Sequence, residues 1–277
     1  MITSSSRRTL IVAVVLTTVA ILASVVSASH SWGGYHWART SNPFTLRIAN
    51  NTTNGWSTYF NTAVSDWNAS SVMNLAPYIS TSSRKCSMVA GTVQVCNNTY
   101  GNNGWLGLAS INITGGTHIT QGSAKMNDTY FNTSTYNNPN EKLHVMCQEV
   151  GHTFGLDHQS TDGSSLNTCM DYFSNTGANA SSTLSTHPNQ HDYDELGIIY
   201  AHLDSFTTIG AAATRSAGNS EVSNDSSSWG QLVSQSANGR SSTYERGNSD
   251  GSKTVTHVYW TEEAADRCPG CDHRYDQ

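Results

Sequence analysis

The chain has 277 residues, a formal net charge of -6, 12% charged residues and 36% hydrophobic ones. Acid excess, with no basic stripe and no aromatic residues interleaved with basic ones, argues against a nucleic-acid-binding surface. Abundant Gly, Ser, Thr and Asn fit a surface exposed outside the cell, and the length suffices for one self-sufficient core with extensions.

At the N-terminus, Arg7 and Arg8 precede an apolar run from Leu10 to Val26, and Val26-Ser27-Ala28 ends it with small residues. This pattern predicts a signal peptide over residues 1–28, with a retained membrane anchor as the alternative, because the run is long for an export signal and short for a secure span. Arg7-Arg8 matches a twin-arginine signal only in that pair. Residues 44–50, FTLRIAN, alternate as a strand does, and Trp56, Tyr59, Phe60, Ala63, Val64 and Trp67 then recur at helical spacing.

The next helix is predicted to begin at Asn140, after Pro139, with Asn140 as its cap and Glu141 at the positive end of its dipole. Leu143, Met146, Cys147, Val150 and Phe154 form its core-facing stripe, while His144, Gln148 and His152 share another face. Gly155 permits a left-handed helix end, so the chain turns back and His158 approaches His152. Two imidazoles converging beside Glu149 are the parts of a metal site with a general base. Beyond Phe206, a Ser-, Asn- and Gly-rich stretch reads as a linker over 206–228. Residues 229–277 are expected to form a small β-rich appendage, since GQLVSQ and TVTHVYW are strand-like with Gly and Asn between. It would either pack on the preceding domain or act as a separate binding element.

The run Gln148-Glu149-Val150-Gly151-His152-Thr153-Phe154-Gly155-Leu156-Asp157-His158, with Asn167-Thr168-Cys169-Met170-Asp171-Tyr172 following it, resembles the metzincin zinc metallopeptidases. That family carries H-E-x-x-H-x-x-G-x-x-H and a methionine turn beneath the metal. The resemblance implies an α+β fold: a twisted mixed sheet, an active-site helix and a Met-turn within residues 29–205. It implies Glu149 as general base, His152 and His158 as second and third zinc ligands, and Met170 as the turn methionine. Tyr172 stands where astacins and serralysins place a tyrosine that binds zinc or stabilises the tetrahedral intermediate. Residues 104–113 and 117–128 resemble the strands before the active-site helix, the second being expected as the edge strand that pairs with extended substrate. Residues 191–203 resemble the family's last helix, with Leu196, Ile199, Tyr200 and Leu203 on one side. Gln159, directly after the third ligand, matches no subfamily marker.

The departure from the pattern is Gln148, where the family has its first histidine. A neutral amide oxygen is a poorer zinc donor than imidazole. Three readings stay open: Gln148 is a weak ligand; zinc is held by His152, His158, Tyr172 and water; or the site is a relic. His144 lies eight residues from His152, about 12 Å along a helix, too far for an unstrained shared ion. The six cysteines fall into three close pairs, Cys86 with Cys96, Cys147 with Cys169 and Cys268 with Cys271, in keeping with export. A Cys147–Cys169 bond would tie the active-site helix to the methionine turn. Cys268 and Cys271 read as a small structural loop in preference to a redox pair. The N-x-S/T triplets at Asn68, Asn97, Asn112, Asn127 and Asn132 are what so Asn- and Thr-rich a chain produces by chance.

Two classes of function follow. One is a secreted, monomeric zinc metalloendopeptidase acting on polypeptide, free of nucleic acid and of the membrane once the signal is cleaved. The other is a catalytically inactive extracellular binding protein that keeps the fold.

Overall fold

The computed structural model describes residues 30–80, 85–160, 162–210 and 222–267. The expected signal peptide and the Cys268/Cys271 pair lie outside the described residues. Nine strands make one mixed sheet: β1 (His36–Trp37), β2 (Phe44–Asn51), β3 (Met73–Ile79), β4 (Thr92–Asn98), β5 (Trp105–Thr114), β6 (His118–Asn127), β7 (Gln231–Gln235), β8 (Ser241–Gly247) and β9 (Lys253–Trp260). The helices are α1 (Ser57–Trp67), α2 (Asp128–Phe131), α3 (Pro139–His152), α4 (Gln190–Ile199) and α5 (Glu262–Arg267). The architecture is mixed α+β with a core dominated by the sheet, in agreement with the expected fold class at that level.

The strand order is β3-β2-β4-β6-β5-β9-β8-β7, with β1 paired to the start of β6. β2, β3, β4 and β6 run parallel, whereas β5, β9, β8 and β7 are joined antiparallel. The antiparallel half follows from short connections, since a tight turn at Gly115-Gly116 can link β5 to β6 only in opposite directions. Two expectations are corrected here. The strand at 117–128 is not an edge: β6 lies between β4 and β5 and is almost wholly buried, and the sheet ends instead at β3 and β7. Nor do the described residues of the 229–277 segment form a separate appendage, because β9 pairs with β5 from Trp105↔Trp260 to Ile113↔Lys253 and so continues the main sheet.

Burial explains the placement of the helices. On one face, α1 and α3 pack together, with Phe60, Ala63, Val64 and Trp67 of α1 meeting Val145, Met146 and Val150 of α3 in the larger core. On the other, Trp105, Leu108, Val222, Trp229, Val258 and Trp260 form a second cluster. Alternation along β9 therefore has a sidedness: Val255 and Tyr259 enter the first core and Val258 and Trp260 the second, so His257 falls on the α3 side.

The cap of α3 lies two residues earlier than its sequence suggests. Asn138 is the cap, its side chain accepting from the Glu141 amide, and Pro139 occupies the first helical position where no amide is needed. Asn140 lies inside the helix. α4 is closed by a capping box between Asn189 and Asp192 and ends before Leu203, which is exposed. Among the described residues two disulfides are formed, Cys86–Cys96 and Cys147–Cys169, the latter joining α3 to the loop that carries Met170.

Candidate metal centre

α3 delivers Glu149 and His152, the turn after it delivers His158, and β9 delivers His257. The turn depends on Gly155, whose φ is +93° and whose missing Cβ would strike the Tyr35 carbonyl. His30 to Trp32 lie against this turn: the Trp32 amide donates to the Gly155 carbonyl at 2.7 Å and Ser31 bridges to Leu156. A second glycine lets helix and sheet meet, since a Cβ on Gly107 of β5 would collide with the Glu149 carboxylate and, at 2.7 Å, with Val145.

His152, His158 and His257 each offer a ring nitrogen, and these three atoms lie within 4.8 Å of one another. Their hydrogen bonds determine which nitrogens are bare. His152 Nδ1 is 2.8 Å from the Leu156 carbonyl oxygen, which can only accept, so the proton sits on Nδ1 and Nε2 is a lone pair. His158 Nδ1 is 3.1 Å from Asp157 Oδ1 and 2.8 Å from the Tyr172 hydroxyl, which again leaves Nε2 bare. Both Nε2 atoms are buried and have no hydrogen-bond partner among the described residues. Two adjacent orphaned lone pairs, each held by a bond to the opposite nitrogen, are what a metal requires of its imidazoles. His257 is fixed by Ser241 Oγ, 2.7 Å from Nε2, and its Nδ1 is 3.3 Å from Glu149 Oε2. His152 and His158 meet that requirement as they stand, whereas His257 would exchange its contact with Ser241 Oγ or Glu149 Oε2 to join them; three imidazoles beside a carboxylate then suit zinc, which favours nitrogen donors in a four-coordinate shell.

Electrostatics agree with neutral ligands. Burial, then the neighbouring His257, holds both His152 and His158 well below the usual histidine range. Burial raises the Glu149 carboxyl, opposed by the charge of and hydrogen bond to His257, and Glu149 Oε1 has no hydrogen-bond partner among the described residues. The centre is closed: Glu149, His152 and His257 are 0%, 1% and 1% exposed. Trp32 leans on it, its ring 5.5 Å from that of His152. A cavity of about 510 Å³ lies on the Tyr172 side, bordered by Tyr172, Phe173, Asn238, Arg240 and Glu262.

The remaining sequence-derived site residues are placed as follows. The Gln148 amide nitrogen Nε2 donates to the carbonyls of Cys169 and Asp171 at 2.9 and 2.8 Å, while its amide oxygen is buried without a hydrogen-bond partner among the described residues. Gln148 thus ties α3 to the Met170 loop alongside the disulfide. Met170 is buried against α3, its sulfur 2.7 Å from where a Cβ on Gly151 would stand. Tyr172 meets His158 at Nδ1, the nitrogen opposite the bare lone pair, so its hydroxyl orients that ring. His144 turns its Nε2 to Gln148 Nε2 at 3.2 Å, Asn175 Oδ1 is 3.3 Å from its Nδ1, the ring stacks on Tyr259, and burial pushes its pKa down to about 3. His257 was not among the residues expected. Its strand parity sets it on the same face as Val255 and Tyr259, an inward histidine in an apolar strand, and that was the available signal.

No family model and no curated protein sequence matches the chain. Among solved structures it is similar to high choriolytic enzyme 1, a hatching-enzyme zinc protease from the medaka fish Oryzias latipes. The TM-score is 0.34 at 12% identity, covering 60% of this chain and 94% of that one. A likeness of that degree carries no weight for function, which rests on the centre itself.

Proposed function

We propose that the chain is a secreted zinc-dependent metallopeptidase of metzincin type, whose metal is held by His152, His158 and His257 and whose proton carrier is Glu149. The carrying observation is the pair of buried Nε2 lone pairs on His152 and His158, unpartnered among the described residues and facing a third imidazole. When bound, zinc supplies Lewis acidity that polarises a carbonyl and acidifies water. Glu149 Oε1, without a hydrogen-bond partner among the described residues, would take a proton from the attacking water and return it to the leaving amine, and burial raises its affinity for that proton. Asp157 and Tyr172 keep His158 in the tautomer that leaves Nε2 bare, and the Leu156 carbonyl does so for His152. His257 replaces the histidine that position 148 lacks, which frees Gln148 for a structural bond. The two described disulfides fit an oxidising compartment. Among the described residues no helix is long and apolar enough to cross a membrane.

One observation favours a second reading, a metal-holding protein without catalysis: the centre is covered by β9 and Trp32, and peptide must enter beside Tyr172 or displace that cover. The purified secreted chain separates the two. Chelator-sensitive cleavage of casein, abolished by Glu149→Gln with zinc content unchanged, is the outcome expected of the peptidase. Zinc bound at His152 and His158 with no cleavage would leave the second reading standing.

A further inference from the structure

A second histidine cluster lies away from this centre, where three distant segments meet. His36 in β1 is paired in register with His118 at the start of β6, and their rings are 5.0 Å apart at 80°. The segment after α4 reaches the same place because the Asp204 amide donates to the Arg39 carbonyl. His202 comes with it, its ring 4.6 Å from that of His36.

Asp204 has its two oxygens divided. Oδ2 accepts from the Arg39 amide and from Arg39 Nη1, both at 3.1 Å. Oδ1 faces three imidazoles: His118 Nε2 at 3.3 Å, His36 Nε2 at 3.6 Å and His202 Nε2 at 3.7 Å. His36 and His202 bring their Nε2 atoms to 3.1 Å of each other. His36 Nδ1 is 2.9 Å from the Gly34 carbonyl oxygen, so its proton belongs there and Nε2 is a lone pair aimed at carboxylate lone pairs. The N–H groups of His202 and His118 can answer these two acceptors, and so can a cation between them, because ligand atoms of His36, His118 and Asp204 all lie within 4.8 Å of one another. A proton on His36 would answer for one ring only, and at 5% side-chain exposure an imidazolium is disfavoured by desolvation. The Arg39 guanidinium sits on the far oxygen, where it orients the carboxylate and leaves Oδ1 for the cluster.

We propose that His36, His118, His202 and Asp204 bind a second zinc ion, a structural one. Three imidazole nitrogens and one carboxylate oxygen make a complete four-coordinate zinc shell, with no position left for substrate. The ion fastens β1 to β6 and to the end of α4. β1 is preceded by residues 30–32, which pair with the Gly155 turn of the first centre. This site stands independently of the peptidase reading.

Zinc per chain, measured by elemental analysis on the full secreted protein and its variants, tests it. Two zinc ions are expected in the parent and one in His158→Ala. His118→Ala is expected to fall to one. Should that variant fail to fold, His202→Ala, at an exposed ring, is expected to weaken the second zinc at least 10-fold in chelator competition. One zinc in the parent that His158→Ala retains supports this site and counts against the first. One zinc in the parent that His158→Ala loses, or two zinc ions undisturbed by His118→Ala and His202→Ala, overturns it.

Discussion

α3 with its glycine turn, and β9 at the other end of the chain, bring histidines to one cluster through different forces. α3 is organised locally: a side-chain cap, a proline at its first position, a helix-ending glycine and a disulfide to the adjoining loop fix Glu149, His152 and His158 within a short stretch of chain. β9 has no such local device. His257 is held by ladders to β5 and β8, with Ala109 and Thr243 as its register partners, and by one hydroxyl from Ser241. A one-residue slip in that register would send His257 to the opposite face. The centre is therefore half a local motif and half a product of correct sheet assembly.

The sharpest way to break this comparison is His257→Ala. Zinc affinity at the first centre should fall by more than about 100-fold, beyond the 10–100-fold typical of losing an outer partner of a ligand, as read by chelator competition. An unchanged affinity would make β9 a bystander and return the third ligand to the local segment, with the free Gln148 amide oxygen the leading candidate.

Next in size is the local half's own brace. Replacing Cys147 and Cys169 together by Ser should cost about 2–4 kcal/mol in denaturant unfolding, because the closed loop no longer restricts the unfolded chain. A loss near zero would show that packing alone holds α3 to the Met170 loop. Gln148→Ala removes the donor to two buried carbonyls and should cost about 1–3 kcal/mol while zinc stoichiometry holds. Zinc lost with stability preserved would identify Gln148 as a ligand.

The smallest effect concerns the contact between the halves. Glu141, buried at the start of α3, faces Arg240 from the β7–β8 turn at 4.0 Å. Burial raises its carboxyl from 4.5 to about 7, against the opposing pull of Arg240 and the Asn175 amide. A raised folded-state value means the native protein holds a proton the unfolded chain has released. The resulting stability is complete below about pH 4.5 and is lost as pH rises through about 7. Glu141→Gln should flatten that decline in unfolding free energy across this window. An identical pH slope in parent and variant would show that Glu141 is ionised throughout.

What was legible from residues alone follows the same division. α1 and α3 and the strand at 44–50 were set by periodicity, and the approach of His158 to His152 by one glycine, since these depend on contacts a few residues apart. The Cys147–Cys169 pairing was suggested by the family resemblance and by close spacing, and the structure forms it. The cap shifted from Asn140 to Asn138 because either asparagine satisfies the local rule and Pro139 fits best at the first helical position.

Sequence by itself thus determined the mixed α+β class, the helix that carries Glu149 and His152, its turn and the carboxylate beside the two histidines. Tertiary structure alone decided that β6 is interior, that residues 231–260 extend the main sheet, and that His257 is the histidine which reaches the others. The reason is physical. Spacing along a helix fixes which side chains share a face, whereas strand order and register are settled by which ladders bury the most apolar surface. Nine of the chain's 11 histidines lie outside the His152–His158 pair, and laying β9 against β5 is what brings His257 to it.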